Sequence, residues 1–382
     1  MESTPTSTVT VSIETRRTYD VRIEDGCFDR VPEILGKFDP VSSVVLVTDR
    51  NVYSLYAAAL EQVFLDSGRR TIRFVMDPSR QKKTLETANE MFKLLFEERV
   101  DRDALMLVVG GGTVGDIGGL VAALYLRGIR YVHVPTTLIG QADSSIGGKV
   151  NANFGPYLNS LSVFYHPAAI LIDPGLIETL PLPEYRSGLA EIVKYAVAMD
   201  FELFERLERS ADALNQRERT VVYDIINHCV RCKANIVSAD STEAGRFQLF
   251  NYGHEFGHAI EASYNYCDLL HGEAVSIGMH TSAWLAWQAG VVDESVFVRQ
   301  GRLLKALNLV REIPSELRDR LGVPQLRESV ARLLGSDKKR RAGGQVWIVP
   351  CALGDAVTTT SIPPSLITEA ISKLAEGGIP CG

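Results

Sequence analysis

The chain has 382 residues, 46% of them apolar and 23% charged, with a formal net charge of −7. That length is long for a single core and implies two domains of an ordinary globular protein. The acidic balance excludes a general nucleic-acid surface, no uncharged apolar run reaches the roughly 18 residues that span a bilayer, and the polar N-terminus lacks an apolar signal core, so a cytoplasmic enzyme without membrane or nucleic-acid partners is expected.

Residues 8–24 alternate as a β-hairpin, with strands at 8–13 and 19–23. A buried strand over 43–48 ends at Asp49, and 52–67 reads as a helix, 71–76 as a strand, 85–98 as a helix and 105–109 as a strand. That alternation predicts a parallel sheet with right-handed crossovers and ligands at the C-terminal ends of its strands. Asp49, 78–83 and 110–116 fall at such ends.

The strand at 105–109 is short and apolar, as suits burial on both faces, and it stops at Gly110, Gly111 and Gly112. Glycines there let backbone N–H groups approach a ligand, and a helix expected over 117–126 turns its N-terminus toward an anion. A dinucleotide pyrophosphate fits. The spacing GGGxxGD is not the usual GxGxxG, however, and a tight turn without ligand reads equally well from the glycines alone.

Residues 131–134 form the next strand, closed by Pro135, Thr136 and Thr137. The polar run Gln141, Asp143, Ser144, Ser145, Lys149, Asn151 and Asn153 reads as a loop that suits a polyhydroxylated, phosphorylated ligand. A strand over 169–172 and a proline-punctuated connection at 179–183 follow. There the chain changes character: 184–214, 217–239, 254–263, 273–288, 295–306 and 324–334 all read as helices. An α/β domain over 1–180 and a helical domain over 181–382 are expected.

Six scattered cysteines imply reduced thiols. Cys229 and Cys232 form a lone CxxC beside His228, which two small apolar positions on a helix explain. Residues 254–258 spell HExxH, which elsewhere sets two zinc histidines and a general base on one helical turn. A zinc metallopeptidase is therefore a rival reading, opposed by the missing secretory signal and the missing HxxGxxH extension.

The stretches GGGTVGD, YLRGIR, VPTTL, QADSSIGGK, SGLAEIVKY, NYGHEFGHAIE, LHGEAVSIGM and DKK run in this order through the chain. Together they resemble 3-dehydroquinate synthase and the wider sugar phosphate cyclase family. The resemblance implies an N-terminal Rossmann-like parallel-sheet NAD-binding domain and a C-terminal all-helical metal-binding domain. It implies that Glu191, His254 and His271 hold one divalent ion, zinc or cobalt, leaving His258 for proton transfer. Each histidine alone reads as structural; one carboxylate with two imidazoles would leave coordination positions open for substrate oxygens.

NAD would be held by Asp49, Lys83, Gly111, Gly112, Asp116, Thr136, Thr137, Asp143, Lys149, Thr179, Leu180 and Glu184. Arg127, Lys149, Asn159, Lys233, Asn251 and either Lys338 or Lys339 match substrate- and phosphate-binding positions. Lys194, Asp143 and Glu243 join His258 at catalytic positions, and Lys194 lies one helical turn from Glu191. Arg127 in such enzymes reaches the neighbouring subunit's site, which implies a homodimer. The implied reaction is a cyclisation without net oxidation: transient oxidation of a hydroxyl by NAD, loss of phosphate, reduction, and intramolecular aldol closure.

Three positions depart from the family pattern. The arginine that binds the substrate carboxylate in 3-dehydroquinate synthases is Phe247, preceded by Arg246; the lysine before Asn159 is Leu158; and the acidic residue before Gln81 is Arg80, which leaves room for a 2′-phosphate on the cofactor. Losing a carboxylate clamp costs about 1.5–3 kcal/mol for each charged hydrogen bond. If 245–251 is extended, Arg246 points away from the face of Phe247 and cannot rebuild the clamp. Sedoheptulose 7-phosphate, which has no carboxylate, is therefore the expected substrate, and a valiolone-type or gadusol-type cyclitol the product. The alternatives are a 3-dehydroquinate synthase with its clamp rebuilt on Arg246, and a non-catalytic NAD-binding relative.

Overall fold

The computed structural model describes residues 17–155, 157–239, 245–335 and 345–380. Its centre is a six-stranded parallel sheet made of β1 (Asp20–Ile23), β2 (Val44–Asp49), β3 (Thr71–Met76), β4 (Leu105–Gly110), β5 (Arg130–Pro135) and, beyond a hairpin of β6 (Lys149–Phe154) and β7 (Tyr157–Phe164), β8 (Ala169–Ile172). The order across the sheet is β1, β8, β5, β4, β2, β3. Every residue of β2 and β4 is buried, with Val45 and Val47 packing on one face and Val44 and Leu46 on the other, which is why these runs are apolar without alternation.

The strand order reverses between β2 and β4. From β2 the chain moves outward to β3, then returns to the far side of β2 and continues through β4, β5 and β8. Splayed connections at such a reversal open a crevice at the C-terminal strand ends, here bounded by Asp49 and by Gly110 to Gly112.

Several elements differ from expectation. The expected first strand at 8–13 lies outside the described residues, and β1 pairs in parallel with β8. The helix expected from 117 begins at Gly112, because Gly111 itself is the extended N-cap; inside it, a Cβ on Gly115 would sit 2.5 Å from the His133 ring, so this glycine allows the helix to lie close on the sheet. The expected helix over 184–214 breaks into Leu182–Met199, Phe201–Arg209 and Ala211–Asn215. Asp200 makes the first break: its backbone is extended and its Oδ1 accepts the Leu203 N–H at 2.9 Å, capping the next helix.

The polar run from Gln141 to Asn153 is not a loop. Its first part is a helical turn over Gly140–Ser144 and its second is β6. Its polar side chains are ordered by tertiary partners; the buried Gln141 Nε2 donates to the carbonyls of Pro135 and Asp173. The C-terminal half is mostly helical, with long helices over Arg219–Ala239, His254–Ser263, His271–Gln288 and Glu294–Ala306, but it also carries a hairpin of β9 (Trp347–Ala352) and β10 (Asp355–Thr359). Among the described residues no helix is long and apolar enough to cross a membrane, and the described cysteines are free thiols.

Candidate active site

One cavity of about 510 Å³ opens at the reversal of the sheet and continues to the His254–Ser263 and His271–Gln288 helices. At its sheet end, the N-terminus of the Gly112–Leu124 helix carries no side-chain cap, which leaves its first amides for a ligand. A Cβ at Gly111 would meet Thr137 Cγ2 at 2.8 Å, so the floor there is backbone. Asp49 borders the same space, with Oδ1 accepting the Asn51 and Val52 N–H groups at 2.9 and 3.0 Å. Lys83 reaches in from the β3 loop, paired with Asp116 and donating to Asn159 Oδ1 at 2.6 Å. Thr136, Thr137, Lys149, Thr179, Leu180 and Glu184 also line the cavity. This uncapped helix end, with a glycine floor beside it, fits a dinucleotide.

The middle of the cavity is a buried charge network. Asp143 accepts from Lys194 Nζ at 2.8 Å, from the Tyr195 hydroxyl at 2.7 Å, and from Lys233, which also donates to the Asp143 carbonyl at 2.7 Å. Burial works to raise the Asp143 pKa, but the two ammonium groups outweigh it and hold the carboxylate well below its usual range. Lys194 also contacts Glu191 Oε2 at 2.6 Å, and two carboxylates overcome burial to raise its pKa. Lys233 is pushed downward by burial. Phe250 packs over both ammonium groups, with Phe247 edge-on to it at 5.2 Å between ring centroids.

At the helical end, Glu191, His254, His258 and His271 converge. Glu191 Oε1 lies 3.1 Å from His271 Nε2 and 3.7 Å from His254 Nε2, and ligand atoms of the three histidines lie within 4.8 Å of one another. His254 Nδ1 donates to the Tyr252 carbonyl at 3.2 Å, and His271 Nδ1 meets Glu261 Oε2 at 3.0 Å. Each contact fixes a ring so that Nε2 points inward, the arrangement expected of metal-binding imidazoles. Burial drives the His254 pKa well below its usual value and keeps the ring neutral. Burial opposes the charged form of His271 too, but Glu261 and Glu191 raise its pKa to about 9. Burial would raise the Glu191 pKa, yet Lys194 and His271 hold it ionised.

Despite those close cations, neither buried oxygen of Glu191 accepts a well-directed hydrogen bond. An ionised carboxylate with undirected lone pairs beside two inward Nε2 atoms fits a divalent ion. The geometry also brings His258 into this group rather than setting it apart. His254 and His258 approach each other as an HExxH helix requires, but Glu255, the general base of the peptidase reading, is buried and does not line the cavity.

Asn251 lines the cavity. Arg127 is exposed at the end of the Gly112–Leu124 helix and does not line this chain's cavity. Glu243, Lys338 and Lys339 lie outside the described residues. The segment Gly245–Asn251 is a 3-10 helix rather than extended, so Arg246 and Phe247 stand about a third of a turn apart. Arg246 is exposed, whereas Phe247 and Leu158 line the cavity. Arg80 also lines it, and its Nη1 is engaged by Glu261 Oε1 at 2.5 Å. Glu261 and Tyr195 had no expected role. Glu261 follows His254 and His258 at positions i+7 and i+3 on one helical face, a spacing visible in the sequence.

A family described as 3-dehydroquinate synthase N-terminal matches residues 73–187, and one described as 3-dehydroquinate synthase C-terminal matches residues 188–340. The 3-dehydroquinate synthase of Desulforamulus reducens is 36% identical over 357 residues, 94% of this chain and 97% of its own length. A solved 2-epi-5-epi-valiolone synthase from Streptomyces hygroscopicus, with NAD+ and Zn2+ bound, is similar at a TM-score of 0.84 and 31% identity, covering 96% of this chain and 99% of that one. The structure of a 2-deoxy-scyllo-inosose synthase complexed with carbaglucose-6-phosphate, NAD+ and Co2+ shares the fold, with a TM-score of 0.81 at 22% identity over 95% of this chain and 98% of that one.

Proposed function

The chain belongs to the 3-dehydroquinate synthase family within the sugar phosphate cyclases, and from that premise we propose that it is an NAD- and divalent-metal-dependent lyase that eliminates phosphate from sedoheptulose 7-phosphate and closes a carbocycle. One observation carries the choice of substrate: Phe247 and Leu158, neither of which can bind a carboxylate, line the cavity while Arg246 is exposed outside it. A carboxylate buried against Phe247 would lose its hydration without gaining a partner. A second reading, 3-dehydroquinate synthase, has the curated relatives' names in its favour, and those comparisons support it better than they support the first.

Glu191, His254 and His271 would hold a zinc or cobalt ion, and the crevice between β2 and β4 would hold NAD. When bound, NAD supplies a reversible hydride acceptor and the metal supplies Lewis acidity. Lys194 and Lys233, fixed on Asp143, present positive charge to the phosphate and hydroxyl groups of the sugar, and Lys149, Asn159 and Asn251 complete that wall. We assign the imidazole of His258, which lines the same cavity, to carry the proton removed beside the transient ketone. Arg127, exposed outside its own chain's cavity, supports a homodimer in which it serves the neighbouring site.

Phosphate release from a panel of seven-carbon sugar phosphates tests this reading. Release from sedoheptulose 7-phosphate with formation of a cyclitol supports it. Release from the carboxylated sugar alone would replace it with the second reading.

A further inference from the structure

We propose that Arg80 is a positioning residue for the metal site, reaching from the cofactor side of the cleft to fix His271 through Glu261; this rests on the reading that His271 holds the metal. The β3 loop is built to present this arginine. Asp77 Oδ1 accepts the Ser79 N–H at 2.9 Å, Ser79 Oγ accepts the Gln81 N–H at 3.2 Å, and Arg80 begins the 3-10 turn between them. From there the guanidinium meets Glu261 Oε1 at 2.5 Å, and the other oxygen, Oε2, meets His271 Nδ1 at 3.0 Å. Gln81 Nε2 adds a second link across the same gap, 2.8 Å from Cys267 Sγ.

This differs from an ordinary surface ion pair. The Glu261 side chain is fully buried and that of Arg80 is 35% exposed, so the carboxylate depends on the Arg80 guanidinium and the His271 Nδ1–H. With both oxygens occupied, Glu261 has one orientation, and so has the His271 ring, whose Nε2 then faces Glu191. Without Arg80, Glu261 could rotate toward the cleft and release the ring. The affinity of the metal thus depends on a residue of the loop after β3 that is bonded to Glu261 rather than to a metal ligand.

The test is the Co2+ and Zn2+ affinity of the full chain, measured by chelator competition, together with the visible absorption of the Co2+ form, in the native protein, R80A, R80K and H271A. R80A is expected to bind metal about 10–100-fold more weakly and to alter the Co2+ band, as loss of an outer partner of a metal-binding histidine does. R80K, which returns a positive charge to Glu261, is expected to recover part of that loss. R80A binding metal as the native protein does, with an unchanged band, while H271A loses it would overturn the proposal and leave the metal reading intact. R80K no tighter than R80A would also contradict it. H271A binding metal as tightly as the native protein would instead overturn the metal reading on which the proposal depends.

Discussion

His271 Nε2 stands 3.1 Å from Glu191 Oε1, joining the start of the His271–Gln288 helix to the middle of the Leu182–Met199 helix at one buried point. A histidine held at Nδ1 and facing an ionised carboxylate is arranged for a cation between them. His271→Ala is therefore expected to purify with little or no zinc or cobalt and to lose more activity than the roughly 10–100-fold that an outer-partner change costs. Elemental analysis and turnover on one preparation check this. Full metal content with full turnover would remove His271 from the site.

Asp143 holds two buried ammonium groups in place. Asp143→Asn takes the carboxylate partner from Lys233 and leaves Lys194 with Glu191 alone, and should destabilise the protein by about 3–5 kcal/mol, read by denaturant titration. The sign with pH follows from the lowered carboxylate pKa. Because the folded value lies below the unfolded one, this stabilisation is complete above the unfolded value near ~3.9 and is lost as pH falls through the folded value. The native protein should lose stability on acidification more steeply than the Asn variant; equal slopes would show that Asp143 is not ionised in the fold.

Gly111 forms part of the proposed cofactor floor. A Cβ there would press on Thr137 Cγ2, so Gly111→Val is expected to fold while retaining no NAD. The native protein should release NAD on denaturation, or need it only in catalytic amounts. NADH accumulating in proportion to product would identify an ordinary dehydrogenase.

Much of this architecture can be read from residues 43–172, because strands buried on both faces are short apolar runs with glycine or aspartate at their ends. The helix begins at Gly112 rather than at 117 because glycines that signal a turn, Gly115 among them, serve here as close-packing positions. The ordered state of Gln141 and Asp143 depends on Lys194, Lys233 and two distant carbonyls, so no local pattern announces it. That Glu191, His254 and His271 converge is suggested in the sequence only by family likeness. The Arg80–Glu261 contact spans 181 residues and pairs two surface-looking charges, which sequence spacing cannot relate.

The clamp can be restored by design. Placing arginine at Phe247 and lysine at Leu158 returns charged donors to the cavity wall. The double variant F247R/L158K should raise kcat/KM for the carboxylated sugar by about 10–100-fold, the equivalent of one good charged hydrogen bond. Kinetics on that substrate with native and variant proteins check this; no gain would mean that the carboxylate is not read at this wall.

The most direct test of the account is kcat/KM for sedoheptulose 7-phosphate and for the carboxylated seven-carbon precursor of 3-dehydroquinate, measured on the same NAD- and metal-loaded preparation. With Phe247 and Leu158 on the wall and Arg246 outside, the uncarboxylated sugar is predicted to be strongly preferred. A clear preference for the carboxylated sugar would contradict that and identify a 3-dehydroquinate synthase whose carboxylate is held elsewhere.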